Sequence, residues 1–300
     1  MSTEKEEKYE NYYVPEQSPW PIVGAVALFF IAFGGGSYIH QSTDVVDTGE
    51  AGWGAFIFMV GLAVMIYMVF GWWKDVIKES MEGLYSAQMD RSFKQGMLWF
   101  ILSEVMFFAA FFGALLYVRQ FVIPWLGGEG NNFETHAILW PNFIPEWPLT
   151  TTPDGTTTTG MGAWGLPAIN TAILLTSSWT LTIAHHALKD NNRQALLNYT
   201  TLTAVLGIIF IALQAWEYHY AYNQMGLTLG SGIYGATFFL LTGFHGLHVT
   251  LGTIFLIVLS IRCSKGHFTK ENHFAYEAGA WYWHFVDVVW VFLFIFVYII

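Results

Sequence analysis

Glu104 stands in the run Ser103-Glu104-Val105-Met106-Phe107-Phe108, among residues that cannot solvate a carboxylate. An ionisable group in hydrocarbon is costly unless paired, so Glu104 is either protonated or meets a cation or hydrogen-bond donor from a neighbouring helix. Two roles are open to it: a proton relay, or a structural hydrogen bond to a histidine or a lipid headgroup. His245 and His248 follow in Gly243-Phe244-His245-Gly246-Leu247-His248. Three residues apart, they share one helix face, and that spacing permits metal ligation. No Cys, third His or Asp neighbours them, however, and Gly243, Gly246 and Gly252 read instead as points of close helix contact. A b-type haem needs imidazoles on facing helices, and His245 with His284 are the pair that could supply them. Glu277, His284 and Asp287 follow one another at +7 and +3 and form one stripe that must face protein. His284 and Asp287, one turn apart, can pair.

These residues lie on long greasy segments. The 300-residue chain is 54% apolar, 18% aromatic and only 11% charged, against roughly 25% charged residues in a soluble domain. That excludes disorder. The net charge of −10 excludes a nucleic-acid partner, because it would repel phosphate backbones. The single cysteine, Cys263, rules out a disulfide framework or a zinc cluster. A bilayer core of about 30 Å needs about 20 apolar helical residues. Seven stretches meet that need: Ile22–Ile39, Gly52–Trp73, Met97–Val118, Gly165–Ala184, Ala195–Trp216, Gly232–Ser260 and Tyr276–Ile299. Runs such as Phe107-Phe108-Ala109-Ala110-Phe111-Phe112 do not alternate as barrel strands must. The fold class is therefore all-α, a membrane protein of seven transmembrane helices. The polar start up to Gln17 has no apolar core of a cleaved leader, so the first span is expected to serve as the membrane signal.

Eleven of the 12 Lys and Arg fall in the tail or in alternate connections, leaving Arg119 alone on the other side. Cytoplasmic loops retain such cations, which puts the N-terminus inside. Asp44, Asp47, Glu50, Glu129, Glu134, Glu146 and Asp154 then fall in external segments. The organisation read from this is a polar cytoplasmic tail (1–21), a two-helix unit (22–73), a cytoplasmic connection (74–96) and a five-helix bundle (97–300) carrying an external loop (119–164). The Thr-rich run Thr150–Thr159 in that loop reads as irregular, solvated chain. Glu217 is expected one residue past the fifth span, near the external interface. His185-His186 close the fourth span beside Lys189 and Arg193, and Trp72-Trp73 before Lys74 read as an aromatic belt with a basic neighbour. A cation-rich inner rim suits anionic lipid headgroups.

The run from His273 to Trp290, with its Trp281-Tyr282-Trp283-His284-Phe285-Val286-Asp287, and the run Thr242-Gly243-Phe244-His245-Gly246-Leu247-His248-Val249 resemble subunit III of the haem–copper cytochrome c oxidases. Supporting matches are Ser18-Pro19-Trp20-Pro21, the segment Trp72–Glu79, Ser103-Glu104-Val105, Ala184-His185-His186 and Glu217-Tyr218. The resemblance covers nearly the whole chain. It implies a non-catalytic core subunit of a cytochrome c oxidase complex in aerobic respiration, with the first two helices splayed from the other five by a lipid-filled cleft. It further implies partners in oxidase subunits I and II, which carry the haem and copper, and structural phospholipids but no cofactor on this chain. Cytochrome c is met only through the complex. By the same resemblance Glu104, His248 and Arg262 match positions near bound phospholipid, and Trp72, Trp73 and Lys74 match a second lipid site. Lys74 and Lys78 stand where mitochondrial relatives usually show Arg, and Lys offers phosphate a point charge without Arg's fork. His245, Glu277, His284 and Asp287 remain as buried polar, structural groups. The subunit is understood to stabilise subunit I and support proton uptake. The long external segment favours a bacterial plasma membrane over a mitochondrial inner membrane. The rival class is a proton-coupled membrane carrier using Glu104 and the Glu277, His284, Asp287 stripe.

Overall fold

The computed structural model describes residues 13–14, 16–48 and 52–300, with the side chains of 42–48 left aside. Lys5, Lys8 and Glu50, and the side chains of Asp44 and Asp47, lie outside the described residues. The described chain is helical, with α1 (Trp20–Thr48), α2 (Gly54–Met81), α3 (Ala87–Tyr117), the short α4 (Ile123–Leu126) and α5 (Phe133–Leu139), then α6 (Leu166–Lys189), α7 (Arg193–Gln224), α8 (Ile233–Ser264) and α9 (Phe274–Leu293). Seven stretches among the described residues are helical, long and apolar enough to cross a membrane. The helices outrun the apolar stretches that predict them: α2 continues past Trp73 to Met81 and α7 past Trp216 to Gln224. Lys, Glu and Gln are good helix formers, so a helix does not stop where the hydrocarbon would.

The chain divides into two compact units, residues 1–92 and 93–300. In the first, α1 and α2 pack backbone to backbone, because a Cβ at Gly34 would lie 2.3 Å from the Phe58 nitrogen and one at Gly61 2.7 Å from the Ile31 nitrogen. Such small-residue contacts are how helices associate where lipid removes the hydrophobic driving force. Near the end of α2 the Trp20 indole donates to Asp75 Oδ2 at 2.7 Å and sits edge-on to Tyr67.

In the second unit α6 packs on α7 and α9, α7 on α8, and α8 on α9. α3 reaches α8 and α9 through long aromatic side chains: Phe107 against Phe244, Phe108 against Phe285 and Phe100 against Tyr282. Buried hydroxyls tie the remaining helices. Thr180 and Thr203 bond at 2.8 Å, Tyr276 bonds to Thr200 at 2.8 Å, and the Trp283 indole donates to Ser177 at 2.9 Å. Gly252 does bring α8 against α9, with the Trp283 ring 3.0 Å from where its Cβ would stand. Gly246 does not, since a Cβ there would meet nothing within 4 Å. Its place beside His245 reflects no steric need.

The connection that follows α3 begins as helix. A π-helical turn at Val118–Val122 leads into α4, and a 3₁₀ turn at Gly130–Asn132 into α5. Arg119 explains part of this order, because its guanidinium donates to the Ile300 carbonyl oxygen at 2.5 Å and lies 5.1 Å from the Trp147 ring centroid. Phe143 and Leu149 are buried with the bundle core. Beyond them the Thr-rich run is irregular and carries one isolated bridge, Thr151 to Thr157. Inside it the Asp154 carboxylate accepts from the Thr152 hydroxyl and from the Thr156 amide at 3.1 Å. These bonds hold Asp154 below its ordinary value of 3.8. A carboxylate with a depressed folded value stabilises its loop above that ordinary value and stops doing so as pH falls through the folded one. Asp154→Ala is therefore expected to speed deuterium exchange at the Thr156 amide at neutral pH and to change nothing in strong acid. Equal exchange in both proteins at neutral pH would remove this turn from the account.

Candidate functional site

Glu104 projects from α3 and His248 from α8, and their side chains meet, with Glu104 Oε2 at 2.8 Å from His248 Nε2. Of the two roles open to the carboxylate, the structure shows the bond to a histidine. The imidazole's other nitrogen faces the Phe244 carbonyl at 2.6 Å. A carbonyl only accepts, so Nδ1 carries a hydrogen and a single proton is left for the 2.8 Å contact. Whether that proton rests on nitrogen or oxygen, the pair is neutral as a whole, which removes most of the cost of burying a carboxylate. The walls are aromatic. Phe108 and Phe107 lie 5.0 and 5.9 Å from the imidazole, and Tyr282 lies 6.4 Å away and donates to the His248 carbonyl at 3.3 Å. The Glu104 and His248 side chains keep 22% and 11% exposure, so one side of the pair is open.

Arg262 lies four turns further along α8, about 21 Å at 1.5 Å per residue, so the structure does not bring it to the pair. It is buried, 7% exposed, with its guanidinium 4.5 Å from the Phe268 ring centroid. Around it gather Lys265, His267 and Arg193, whose Nη1 would stand 2.8 Å from a Cβ at Gly266. Gly266, with φ of 70°, turns the chain out of α8 and admits the Arg193 head against its backbone. Burial first, and then the charges of Arg262 and Lys265, push His267 below the ordinary imidazole value. This basic end of the bundle and the loop end that carries residues 140–165 are opposite poles of the second unit. In the first unit Trp72 and Lys74 are exposed and Trp73 half-buried on α2.

The polar stripe on α9 separates onto different partners. Glu277 pairs with Lys94 at 3.4 Å. His284 bonds through Nδ1 to the Ser178 hydroxyl on α6 at 2.5 Å, and no His284–Asp287 ion pair occurs among the described residues. A serine across the helix interface takes the imidazole in place of the neighbour one turn along, in a partly buried contact. Asp287 is buried, with Ser178 beside it. His245 is fully buried, its Nε2 at 3.1 Å from the Val286 carbonyl and its ring 5.0 Å from Trp290. With His245 turned to α9 backbone and His284 to α6, the two imidazoles do not form a facing pair for haem. Among the described residues no group of three or more His, Cys, Asp or Glu could hold a metal ion.

The helix that carries Glu217 does not end with the apolar stretch at Trp216 but runs two turns beyond Glu217; the side chain is 1% exposed, and Tyr298 donates to its Oε1 at 2.7 Å. Ser178, Tyr298, Lys94 and Phe108 were not visible as partners in sequence; each lies on another helix, and no local spacing points to it.

A sequence model of the family described as cytochrome c oxidase subunit III matches residues 10–129 and 134–300. Curated relatives named cytochrome c oxidase subunit 3 are 38% identical over 288 residues in Latimeria chalumnae and in Hippopotamus amphibius, and 37% identical over 290 residues in Felis catus. In each case 96% of this chain and 96% of the relative are covered. With seven helices long and apolar enough to cross a membrane, and a match along nearly its whole length, the chain belongs to the cytochrome c oxidase subunit III family and is a multi-pass membrane subunit of such an oxidase complex.

Proposed function

We propose that this chain is the non-catalytic core subunit that stabilises subunit I, supports proton uptake and holds phospholipid against the complex, while cytochrome c is oxidised and oxygen reduced at haem and copper in subunits I and II. The observation that carries this reading is how the chain's histidines and carboxylates are used. Glu104 is neutralised by His248, Glu277 by Lys94, and His284 and His245 are bonded to α6 and α9. Each group is committed to helix packing, which suits a brace better than an electron carrier. A proton-coupled carrier would need these groups to line one path, and they are distributed over separate helix interfaces instead.

The lipid role rests on chemistry at two depths. The basic end supplies Arg262, Lys265, Arg193 and His267, cations able to meet a phosphate. Along α8 from there, the partly open Glu104–His248 pair sits at the depth of acyl chains. Trp72, Trp73 and Lys74 on α2 offer a second aromatic and basic contact of the interfacial kind. In this reading the basic end is cytoplasmic and the loop end external. The membrane is the bacterial plasma membrane, on the length of the external segment.

Quantifying the phospholipid that survives detergent purification of the complex tests the assignment. Arg262→Gln keeps length and some hydrogen bonding but removes the charge, and is expected to lower retained anionic phospholipid while zwitterionic lipid stays constant. Unchanged anionic lipid in the purified variant would overturn the headgroup role of this end.

A further inference from the structure

Near the loop end of the second unit several buried polar atoms find no hydrogen-bond partner in the protein. Asn170 on α6 is 0% exposed, and Gln214 and Glu217 on α7 are 6% and 1%. Both amide atoms of Asn170, both of Gln214, and Glu217 Oε2 are unpartnered.

Contacts through Trp290 and Tyr298 link the helix segments that carry these three side chains. Trp290 is the hub: its ring lies 4.8 Å from Phe210 and 6.0 Å from Tyr298, and its indole donates to Thr171 at 2.9 Å. Asn170 adjoins Thr171, Gln214 lies one turn beyond Phe210 and faces the Tyr298 hydroxyl, and Glu217 accepts from that hydroxyl. The bond between Thr180 and Thr203 sets the antiparallel register of α6 and α7. Ten residues before the one and eleven after the other, Asn170 and Gln214 come opposite each other.

An unpaired amide or carboxyl oxygen in such an interior is costly, so these five atoms demand a ligand. Two of the atoms are NH₂ donors and three are oxygens. A cation would serve the oxygens and repel the donors, and an anion would do the reverse. Water serves both, and a buried water makes about three hydrogen bonds to groups of this kind.

We propose that Asn170, Gln214 and Glu217 form an internal water-binding site, roofed by Trp290 and Tyr298, that bridges α6, α7 and the end of α9. The site makes Glu217 a hydrated carboxyl group inside the bundle rather than a dry one.

The intact oxidase complex provides the test. A high-resolution map is expected to show ordered waters within hydrogen-bonding distance of the Asn170, Gln214 and Glu217 side chains, lost in the double variant Asn170→Leu, Gln214→Leu. If that variant fails to assemble, hydroxyl-radical footprinting of the wild-type complex decides the matter. Radicals generated from bound water should modify the buried Trp290 and Tyr298 rings, while Tyr276, as fully buried as Trp290 but with its hydroxyl on Thr200, should stay unmodified. A map in which the Asn170 and Gln214 amides bond directly with no water between them, density bound by the oxygens alone, or footprinting that leaves Trp290, Tyr298 and Tyr276 alike unreactive would each overturn the proposal.

Discussion

Trp283→Ala is expected to cost about 3–5 kcal/mol, the usual range for emptying a buried aromatic site, and to release the subunit from the oxidase complex on heating well before wild type. The indole is completely buried, donates to Ser177 at 2.9 Å and fills space left by two glycines. A Cβ at Gly207 would come 2.8 Å from the ring, and one at Gly252 3.0 Å. Three helices, α6, α7 and α8, therefore close around one α9 side chain, and none can collapse into the cavity without moving the others. Trp283→Phe keeps most of the ring and loses one neutral hydrogen bond, worth about 1 kcal/mol. Thermal dissociation followed by native electrophoresis should rank wild type above Phe and Phe far above Ala. If Phe and Ala dissociated together, the hydrogen bond rather than the packed ring would be holding this interface.

Glu104→Ala is expected to leave the complex assembled but to shorten its turnover lifetime several-fold under continuous oxygen consumption. The variant strands His248 Nε2, whose partner at 2.8 Å is gone, at a cost of about 1–3 kcal/mol for an unsatisfied buried group. That is less than the loss at Trp283, and water or a lipid oxygen entering from the open side reduces it further. Glu104→Gln separates the roles: it can still bond to the imidazole but cannot exchange a carboxyl proton. A lifetime restored by Gln makes Glu104 a positioning residue for His248 and the aromatic wall, whereas a lifetime as short as that of Ala makes the carboxyl proton itself necessary. Wild-type lifetime and lipid content in the Ala variant would remove Glu104 from the functional set.

What could be read from the chain follows from which interactions are local. The seven spans were legible because hydrocarbon imposes one length and one composition on every crossing helix. The need for a partner at Glu104 was legible too, since nothing in its own turn can solvate it, and histidine was among the partners expected. Its identity as His248 is a matter of helix packing between residues 144 apart, which no periodicity encodes. The same limit explains His284. Sequence offers Asp287 one turn away, whereas the fold offers Ser178 at 2.5 Å on another helix. Glu217 shows a different limit: hydropathy falls before the helix ends, so the end of the apolar stretch at Trp216 does not mark the end of α7. Gly246 shows the converse, a small residue in a motif without a close contact to explain it. The ordered start of the connection after α3 escaped composition because its order depends on Arg119 and on buried Phe143 and Leu149 rather than on local propensity.

The central claim is that this subunit braces and lipidates a redox complex while carrying no electrons. Its most direct test is to recover the oxidase from native membranes through a tag on this chain, then strip the tagged subunit with stronger detergent and measure haem and copper in both fractions. The account predicts that the first step brings down the haem-bearing and copper-bearing subunits, and that after the second all haem and copper stay with them while phospholipid travels in part with the tagged chain. A stoichiometric haem or copper left on the tagged chain, or a tagged chain recovered with no oxidase subunits at all, would contradict it.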